Sequence, residues 1–223
     1  MNLSPFIDHT LLKPTTTQSD VITLCNEAIK YRFFSVCVNS CYVPLAKQTL
    51  NNSTVKVCAV VGFPLGAMST IAKVEETKQA LIDGADEIDM VMNIGFFKSG
   101  NFMAVAEDIK AVKQQLPNNT LKVILETCYL NNKEIIKASE IAIKNGADFI
   151  KTSTGFGSGG ATLETVKLML NTIPNNKVKV KASGGIRDTE TALNYINLGA
   201  SRLGTSNGVS IVSGKNSNTK TSY

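Results

Sequence analysis

The sequence has a single histidine, no tryptophan and no cysteine pair with C-x-x-C spacing. With only His9 present, a zinc site built from several imidazoles is close to excluded, as is a Ser-His-Asp or Cys-His pair elsewhere in the chain. Long hydrophobic runs are also missing, because the longest, Val57 to Phe63, is far shorter than a membrane span. The first thirty residues hold no basic segment followed by an apolar run. We therefore expect neither an export signal nor a membrane partner.

The cysteines indicate a reducing compartment. Their number is odd, and several lie inside apolar runs, where a reduced thiol packs as a small hydrophobic group. They are Cys25, Cys37, Cys41, Cys58 and Cys128. A cytoplasmic location is expected from this pattern.

The net charge of +5 and the isoelectric point near 8.9 suit an anionic ligand. The lysines are nevertheless scattered through helical segments and form no dense run interleaved with aromatic residues. A nucleic-acid partner is therefore not expected, and most of these lysines should form a solvated helix surface.

Short β-rich runs alternate with helical patterns along the whole chain. Two segments place apolar residues at helical spacing: Val21, Leu24, Cys25, Ala28 and Ile29, and Phe102, Val105, Ala106, Ile109 and Val112. The candidate strands are Phe6 to Thr10, Phe34 to Val38, Val55 to Val61, Glu87 to Met92, Leu121 to Glu126, Phe149 to Thr152, Val178 to Ala182 and Arg202 to Gly204. Gly84, Gly146 and Gly199 each follow a helical pattern, as glycines that stop helices do.

This alternation predicts an α/β protein built from parallel βαβ units. Eight such units close most simply into a single (β/α)8 TIM barrel, and an open doubly wound sheet is the less favoured alternative. We place the barrel at residues 1–213. Residues 214–223 contain few apolar groups and are predicted to form a flexible tail that ends in Tyr223.

Two lysines stand inside apolar strands near the carboxyl ends, where such barrels carry their active sites. They are Lys151 and Lys181, and Asp89 lies in another strand. If both lysines point inward, cations about 4 Å apart at an effective dielectric of about 20 repel by roughly 4 kcal/mol. That repulsion could lower the pKa of one lysine enough to leave a free amine that attacks a carbonyl. Asp89 could then balance the other ammonium and pass protons.

A structural interpretation explains the same residues without chemistry. Lys151 and Lys181 would extend to solvent at the strand ends, and Asp89 would be an ordinary ion-pair partner. The pattern alone supports both interpretations about equally. The lack of a second histidine favours lysine or carboxylate chemistry, because an imidazole base is missing.

Two glycine-rich turns follow the last two candidate strands, where barrels of this kind bind phosphate. The first runs from Ser183 through Gly184, Gly185 and Arg187 to Asp188, and the second from Gly204 through Ser206 to Gly208. Glycine lets backbone N–H groups approach phosphate oxygens, and Arg187 adds charge. Further candidates for holding substrate or a water molecule are Gly155 and the hydroxyls of Thr152, Ser153 and Thr154.

The remaining polar residues near strand ends carry weaker signals. Asp8 and Cys37 are candidate contacts to substrate, although Cys37 is better explained as a core or pocket-lining thiol that a reactive aldehyde could modify. His9 is expected to be a packed or capping group. Glu126 either orients one of the two lysines or forms an ordinary ion pair.

At these residues the sequence resembles the deoxyribose-phosphate aldolases, bacterial class I enzymes that use a Schiff base. The resemblance spans essentially the whole chain and is carried by segments 7–14 (IDHTLLKP), 62–66 (GFPLG), 87–91 (EIDMV), 149–155 (FIKTSTG), 179–187 (KVKASGGIR) and 222–223 (SY). It implies reversible cleavage of 2-deoxy-D-ribose 5-phosphate to D-glyceraldehyde 3-phosphate and acetaldehyde, in deoxynucleoside breakdown. It implies no cofactor and no metal.

The resemblance also assigns roles. It implies that Lys151 forms the Schiff base, that Lys181 perturbs it and that Asp89 takes part in a proton relay. It places a tyrosine at the carboxyl terminus, here Tyr223, which assists proton transfer at the acetaldehyde carbon. Members of the family are often dimers, so it suggests a homodimer.

Two positions depart from the family pattern. Phe156 stands where some members have a lysine near the phosphate, and Asn207 follows Ser206 where a serine or glycine is common. Both bear on the preference for phosphorylated over free deoxyribose. Two alternatives stay open: another lysine-dependent phosphosugar aldolase or transaldolase, and a barrel that binds a phosphometabolite without turnover.

Overall fold

A computed structural model describes residues 1–174 and 177–214. Within them, eight parallel strands form a closed barrel in chain order, and the last strand pairs with the first. The strands are β1 (Ile7–Leu11), β2 (Ser35–Asn39), β3 (Lys56–Val61), β4 (Glu87–Val91), β5 (Thr120–Ile124), β6 (Phe149–Lys151), β7 (Lys179–Ser183) and β8 (Arg202–Thr205). The predicted (β/α)8 barrel is confirmed, and the open sheet is excluded. Every predicted strand is present, with ends displaced by two residues or fewer.

Helices follow the strands and cover the outside of the barrel. They are α1 (Gln18–Tyr31), α2 (Val43–Thr49), α3 (Thr70–Ile82), α4 (Ile94–Lys98), α5 (Phe102–Lys113), α6 (Asn132–Lys144), α7 (Leu163–Thr172), α8 (Thr189–Leu198) and α9 (Gly208–Ser213). Short 3-10 turns occupy Ser4–Phe6, Ser40–Tyr42 and Thr127–Tyr129.

Local sequence sets where several of these helices begin and end. Thr17 starts α1 with a capping box in which Thr17 and Asp20 satisfy each other's backbone N–H groups. Gly84, Gly146 and Gly199 follow helices with φ values of 103°, 96° and 118°, a left-handed conformation that favours glycine. The predicted glycine stops are therefore confirmed.

The helices pack their apolar faces onto the outer side of the barrel. In α1 the buried residues are Val21, Leu24, Cys25 and Ala28. Ile29, which was predicted to share that face, is 40% exposed, because it lies at the edge of the stripe. None of the helices in the described part of the chain is long and apolar enough to cross a membrane.

The barrel interior, in contrast, is rich in charge. Seven Asp, Glu, Lys and Arg side chains on its strands are each no more than 5% exposed: Asp8, Glu87, Asp89, Lys122, Lys151, Lys181 and Arg202. Burying charges costs several kcal/mol each unless they are paired, so the arrangement of these groups decides what the barrel can do. The predicted tail lies outside the described residues from position 215 onward, and Tyr223 with it.

Candidate active site

Lys151, Lys181 and Asp89 meet inside the barrel. Lys151 of β6 and Lys181 of β7 are register partners on neighbouring strands. The Nζ atoms of both lysines donate hydrogen bonds of 2.8 Å to the same atom, Oδ2 of Asp89 in β4. The structural interpretation, in which the lysines extend to solvent, is wrong, because both side chains are buried.

A larger ion network surrounds this triad. Lys122 Nζ lies 2.9 Å from Oδ1 of Asp89 and 2.5 Å from a carboxylate oxygen of Glu87. Lys122 was not among the predicted residues, although it carries the same signal as the other two lysines: a charged residue within an apolar strand. The picture of two lysines facing each other alone is therefore incomplete.

Asp8 anchors the opposite side of the network. Its Oδ2 atom lies 2.5 Å from Lys181 Nζ, and its Oδ1 atom accepts hydrogen bonds from Arg202 Nη1 at 2.7 Å and Ser35 Oγ at 2.6 Å. Arg202 also pairs with Glu87, at 3.3 Å. Asp8, predicted to contact substrate, lies fully buried in this network and does not line a pocket that we identify in the described residues.

The network fixes the protonation of its members. Burial raises the pKa of Asp89, but Lys122, Lys151 and Lys181 outweigh it and hold this pKa well below its usual range. Burial lowers the pKa of Lys181, yet Asp8 and Asp89 outweigh this and raise it above its usual value. Asp89 is therefore a carboxylate and Lys181 an ammonium at neutral pH.

A cavity of about 230 Å³ opens near the ends of β6, β7 and β8. It brings together five residues that were predicted to bind phosphate: Gly155, Gly184, Gly185, Arg187 and Ser206. It also includes Gly157, Ser158, Gly159 and Gly160, which were not predicted, and Ile186 and Asn207, which lie within the two predicted turns. The run GFGSGG at 155–160 was a signal for residues 157–160, since glycine-rich loops let backbone N–H groups face an anion.

Two glycines of this cavity are in close backbone contact. A Cβ atom on Gly160 would lie 2.3 Å from the carbonyl oxygen of Gly184, and Ala161 N–H donates to that same oxygen at 3.1 Å. Gly184 and Gly185 have φ values of 88° and 82°. The wall of the cavity therefore depends on side chains being absent from these positions.

Other predicted binding residues serve different purposes in the structure. Gly204 lies in β8 against Lys181, whose Cε atom would be 3.0 Å from an added Cβ. The Oγ1 atom of Thr152 donates to the carbonyl oxygen of Ser183 at 2.9 Å and accepts from its N–H at 3.0 Å. Neither Gly204 nor Thr152 lines the cavity. Cys37 is fully buried and belongs to a small apolar cluster with Cys58.

Glu126 contacts neither Lys181 nor Lys151 by an ion pair. It accepts hydrogen bonds from the N–H and the hydroxyl of Thr154, in the loop after Lys151. Burial raises the pKa of Glu126, and its hydrogen bonds with Thr154 oppose that rise. The hydroxyl of Ser153 is buried without a protein partner, so among the three predicted hydroxyls it is the one left for another molecule.

His9 is a packed group, as expected. It is 2% exposed, and its ring packs against that of Phe33 with the centroids 5.0 Å apart. Its Nε2 atom lies 2.7 Å from a carboxylate oxygen of Glu27. Phe156 contacts Phe63 edge to face, with ring centroids 5.3 Å apart, and does not line the glycine-rich cavity.

Comparisons with known proteins agree with this architecture. The sequence profile described as DeoC/LacD family aldolase matches residues 4–217. A deoxyribose-phosphate aldolase of Finegoldia magna is 56% identical over 214 residues, which cover 96% of this chain and all of the relative. One of Carboxydothermus hydrogenoformans is 54% identical, covering 95% of this chain and 94% of the relative.

Solved structures show the same likeness. The tetrameric deoxyribose phosphate aldolase of Aeropyrum pernix superposes with a TM-score of 0.88 at 33% identity, covering 95% of this chain and 89% of that one. Both the sequence relatives and this structure match over nearly their full lengths. The chain therefore belongs to the DeoC/LacD family of aldolases.

Proposed function

We propose that this chain is a class I aldolase that reversibly cleaves 2-deoxy-D-ribose 5-phosphate to D-glyceraldehyde 3-phosphate and acetaldehyde through a Schiff base on Lys151. The observation that carries the proposal is the shared Oδ2 atom of Asp89, which lies 2.8 Å from both Lys151 and Lys181. That contact couples a buried amine to a carboxylate and to a second cation, which is what imine chemistry requires.

The contacts of the three buried lysines support Lys151 as the nucleophile. Lys181 is paired with Asp8 and Asp89, and Lys122 with Glu87 and Asp89. These carboxylates raise the pKa values of Lys122 and Lys181 despite burial, so both stay protonated and cannot attack.

Lys151 differs from them because its ion pairs involve one carboxylate oxygen only, on Asp89. An uncharged amine adds to a carbonyl carbon, and Lys151 is the one of the three buried lysines with the fewest carboxylate partners. Asp89, already within 2.8 Å of Lys151 Nζ, is placed to accept and return protons during loss of water and protonation of the enamine.

The glycine-rich cavity supports a phosphorylated substrate. Its backbone N–H groups and Arg187 suit a phosphate group. Among the described residues that line it, Arg187 is the charged side chain, and the aromatic ring of Phe156 packs elsewhere against Phe63. We infer a preference for the phosphorylated sugar that rests on Arg187 and the backbone.

Three finer points belong to the same proposal. Tyr223 assists proton transfer at the acetaldehyde carbon, a role that rests on family resemblance. The protein acts in the cytoplasm, which suits the five free thiols. It works without a cofactor and assembles as a homodimer, while a tetramer has been solved for the Aeropyrum pernix relative.

The test is a product assay with purified protein and 2-deoxy-D-ribose 5-phosphate. We expect acetaldehyde and D-glyceraldehyde 3-phosphate in equal amounts, detected by two separate coupled dehydrogenases. Turnover of ketose donors with a phosphorylated acceptor aldehyde, in place of this cleavage, would favour a transaldolase. Binding of the sugar phosphate without either product would favour the barrel that only binds.

A further inference from the structure

Two cysteine thiols face each other inside the barrel, and the proposed aldol reaction does not use them. Cys37 of β2 and Cys58 of β3 are register partners on neighbouring strands, and both are fully buried. Their sulfur atoms and a carboxylate oxygen of Asp89 all lie within 4.8 Å of one another. The pair is therefore in contact with the carboxylate that Lys151 and Lys181 share.

The strand geometry suits a disulfide. Neighbouring strands run about 4.8 Å apart, and a disulfide spans Cα separations of about 4.4 to 6.8 Å. We propose that Cys37 and Cys58 form an intramolecular disulfide when the protein meets hydrogen peroxide, and that this bond reversibly stops turnover. Formation of the bond follows from the barrel geometry, whereas its effect on turnover rests on the proposed aldolase function.

The two thiols differ in a way that assigns their roles. The adjacent Cys58 thiol lowers the pKa of Cys37, and the charge of Lys181 adds to this against the effect of burial. Burial raises the pKa of Cys58 well above its usual value, and the adjacent Cys37 and the charge of Asp89 add to that rise. Cys37 is therefore the thiol that ionises more readily and reacts with peroxide, and Cys58 is the resolving thiol.

The chemistry balances without a further reactant. The Cys37 thiolate attacks one oxygen of hydrogen peroxide, the O–O bond breaks, and Cys37 sulfenic acid and hydroxide are formed. Cys58 then attacks the sulfenic sulfur, the S–S bond forms, and the second hydroxide leaves as water with the Cys58 proton. Two thiols lose two electrons and two protons, and peroxide is reduced to two waters.

Access follows from the aldol reaction itself. Lys151 is only 2% exposed, and the proposed reaction requires a sugar phosphate to reach its Nζ atom. Hydrogen peroxide is much smaller than that substrate. An opening that admits the sugar to the Asp89 network therefore admits the oxidant to the thiols beside it.

The disulfide would disturb Asp89 directly. Cys58 Sγ lies 3.1 Å from Oδ1 of Asp89 as a donor and 3.4 Å from Lys122 Nζ as an acceptor. Oxidation removes the S–H donor and draws this sulfur toward Cys37. A bound metal ion fits the same three ligands less well, because it would lie against the Lys122 ammonium, which is 2.9 Å from Asp89.

The experiment treats the protein with hydrogen peroxide and follows mass, peptides and activity. Cys37 and the exposed Cys41 share the tryptic peptide 33–47, so Cys41→Ser is the matched background that makes mapping unambiguous. In that variant we expect a mass loss of about 2 Da and a link between peptides 33–47 and 57–73. Activity should fall about tenfold or more and return with dithiothreitol.

Several results would overturn the proposal. One is that both peptides stay unlinked at peroxide doses that abolish activity. Another is that the link forms without loss of activity, or that Cys58→Ala is inactivated reversibly to the same extent. If Cys58→Ala does not fold, the peptide map of Cys41→Ser still shows whether the disulfide between Cys37 and Cys58 forms. This map tests formation of the disulfide whether or not the protein cleaves deoxyribose 5-phosphate.

Discussion

The Nζ atom of Lys151 donates a 2.8 Å hydrogen bond to Oδ2 of Asp89 in the closed interior of the barrel. The two residues lie on β6 and β4, which are not neighbours, so the barrel itself brings them together. Lys181 donates to the same oxygen at the same distance. One carboxylate atom thus joins the proposed nucleophile to a second buried lysine.

Lys122 should be essential for stability because it neutralises two buried carboxylates, on Glu87 and Asp89. Lys122→Met leaves both without this partner, and we expect the free energy of unfolding to fall by about 3 to 5 kcal/mol. Urea denaturation measures the loss. The matched control is Lys78→Met, which removes an exposed ion pair with Glu75 and should cost less than about 1 kcal/mol. Equal losses in the two variants would contradict the role of Lys122.

Gly160 should control phosphate affinity. An alanine Cβ there meets the Gly184 carbonyl oxygen at 2.3 Å, which displaces the backbone of the phosphate cavity. We expect Gly160→Ala to raise KM for deoxyribose 5-phosphate about tenfold or more, as loss of one charge-assisted hydrogen bond would do. Turnover of free deoxyribose should change little.

The matched control for this prediction is Gly95→Ala, where an added Cβ meets nothing closer than 3.5 Å. It should leave KM for both sugars unchanged. If Gly160→Ala raises KM equally for the free and the phosphorylated sugar, this loop does not bind the phosphate group.

Glu126 should make stability depend on pH. Burial raises its pKa in the folded protein, so the folded state binds this proton more tightly than the unfolded state. The protonated Glu126 therefore stabilises the folded state fully below the pKa of the unfolded state, which is about 4.3. This stabilisation is lost as the pH rises through the pKa of the folded state. Glu126→Gln stays neutral. The free energy of unfolding of Glu126→Gln, relative to wild type, should therefore increase as the pH rises from about 4 to 8. Urea denaturation at each pH measures this difference.

The control for this prediction is Glu75→Gln, since Glu75 is an exposed residue with an ion pair to Lys78 on α3. The difference between that variant and wild type should not grow with pH in the same direction. A flat difference for Glu126→Gln as well would show that burial does not raise the pKa of Glu126 in solution.

Much of the fold could be predicted because hydrophobic periodicity and glycine stops are local signals. The eight strands, the buried face of α1 and the stops at Gly84, Gly146 and Gly199 all follow from neighbouring residues. Lys151 and Lys181 stood out for the same reason: each is a charge in a short apolar strand. Because (β/α)8 barrels carry their active sites at the carboxyl ends of the strands, both lysines could also be assigned to one end of the fold.

The partners of those charges could not be predicted from the sequence. Lys122 and Arg202 obey the same strand signal, but their pairing with Glu87 and Asp8 depends on the register between neighbouring strands of the barrel, and β1 and β8 become neighbours only when it closes. The hydrogen-bond partners of the hydroxyl groups could not be predicted either, because a side chain such as Thr152 can bond to several different acceptors. Only the packed structure shows that it bonds to Ser183 instead of facing the cavity.

The most direct test of the central claim is trapping of the covalent intermediate. Protein incubated with 2-deoxy-D-ribose 5-phosphate and borohydride should gain the mass of a reduced adduct that maps to Lys151. Lys151→Ala should gain none, while the exposed control Lys78→Ala should behave as wild type. No adduct in active, folded wild-type protein, or an adduct on Lys181 or Lys122, would contradict the account.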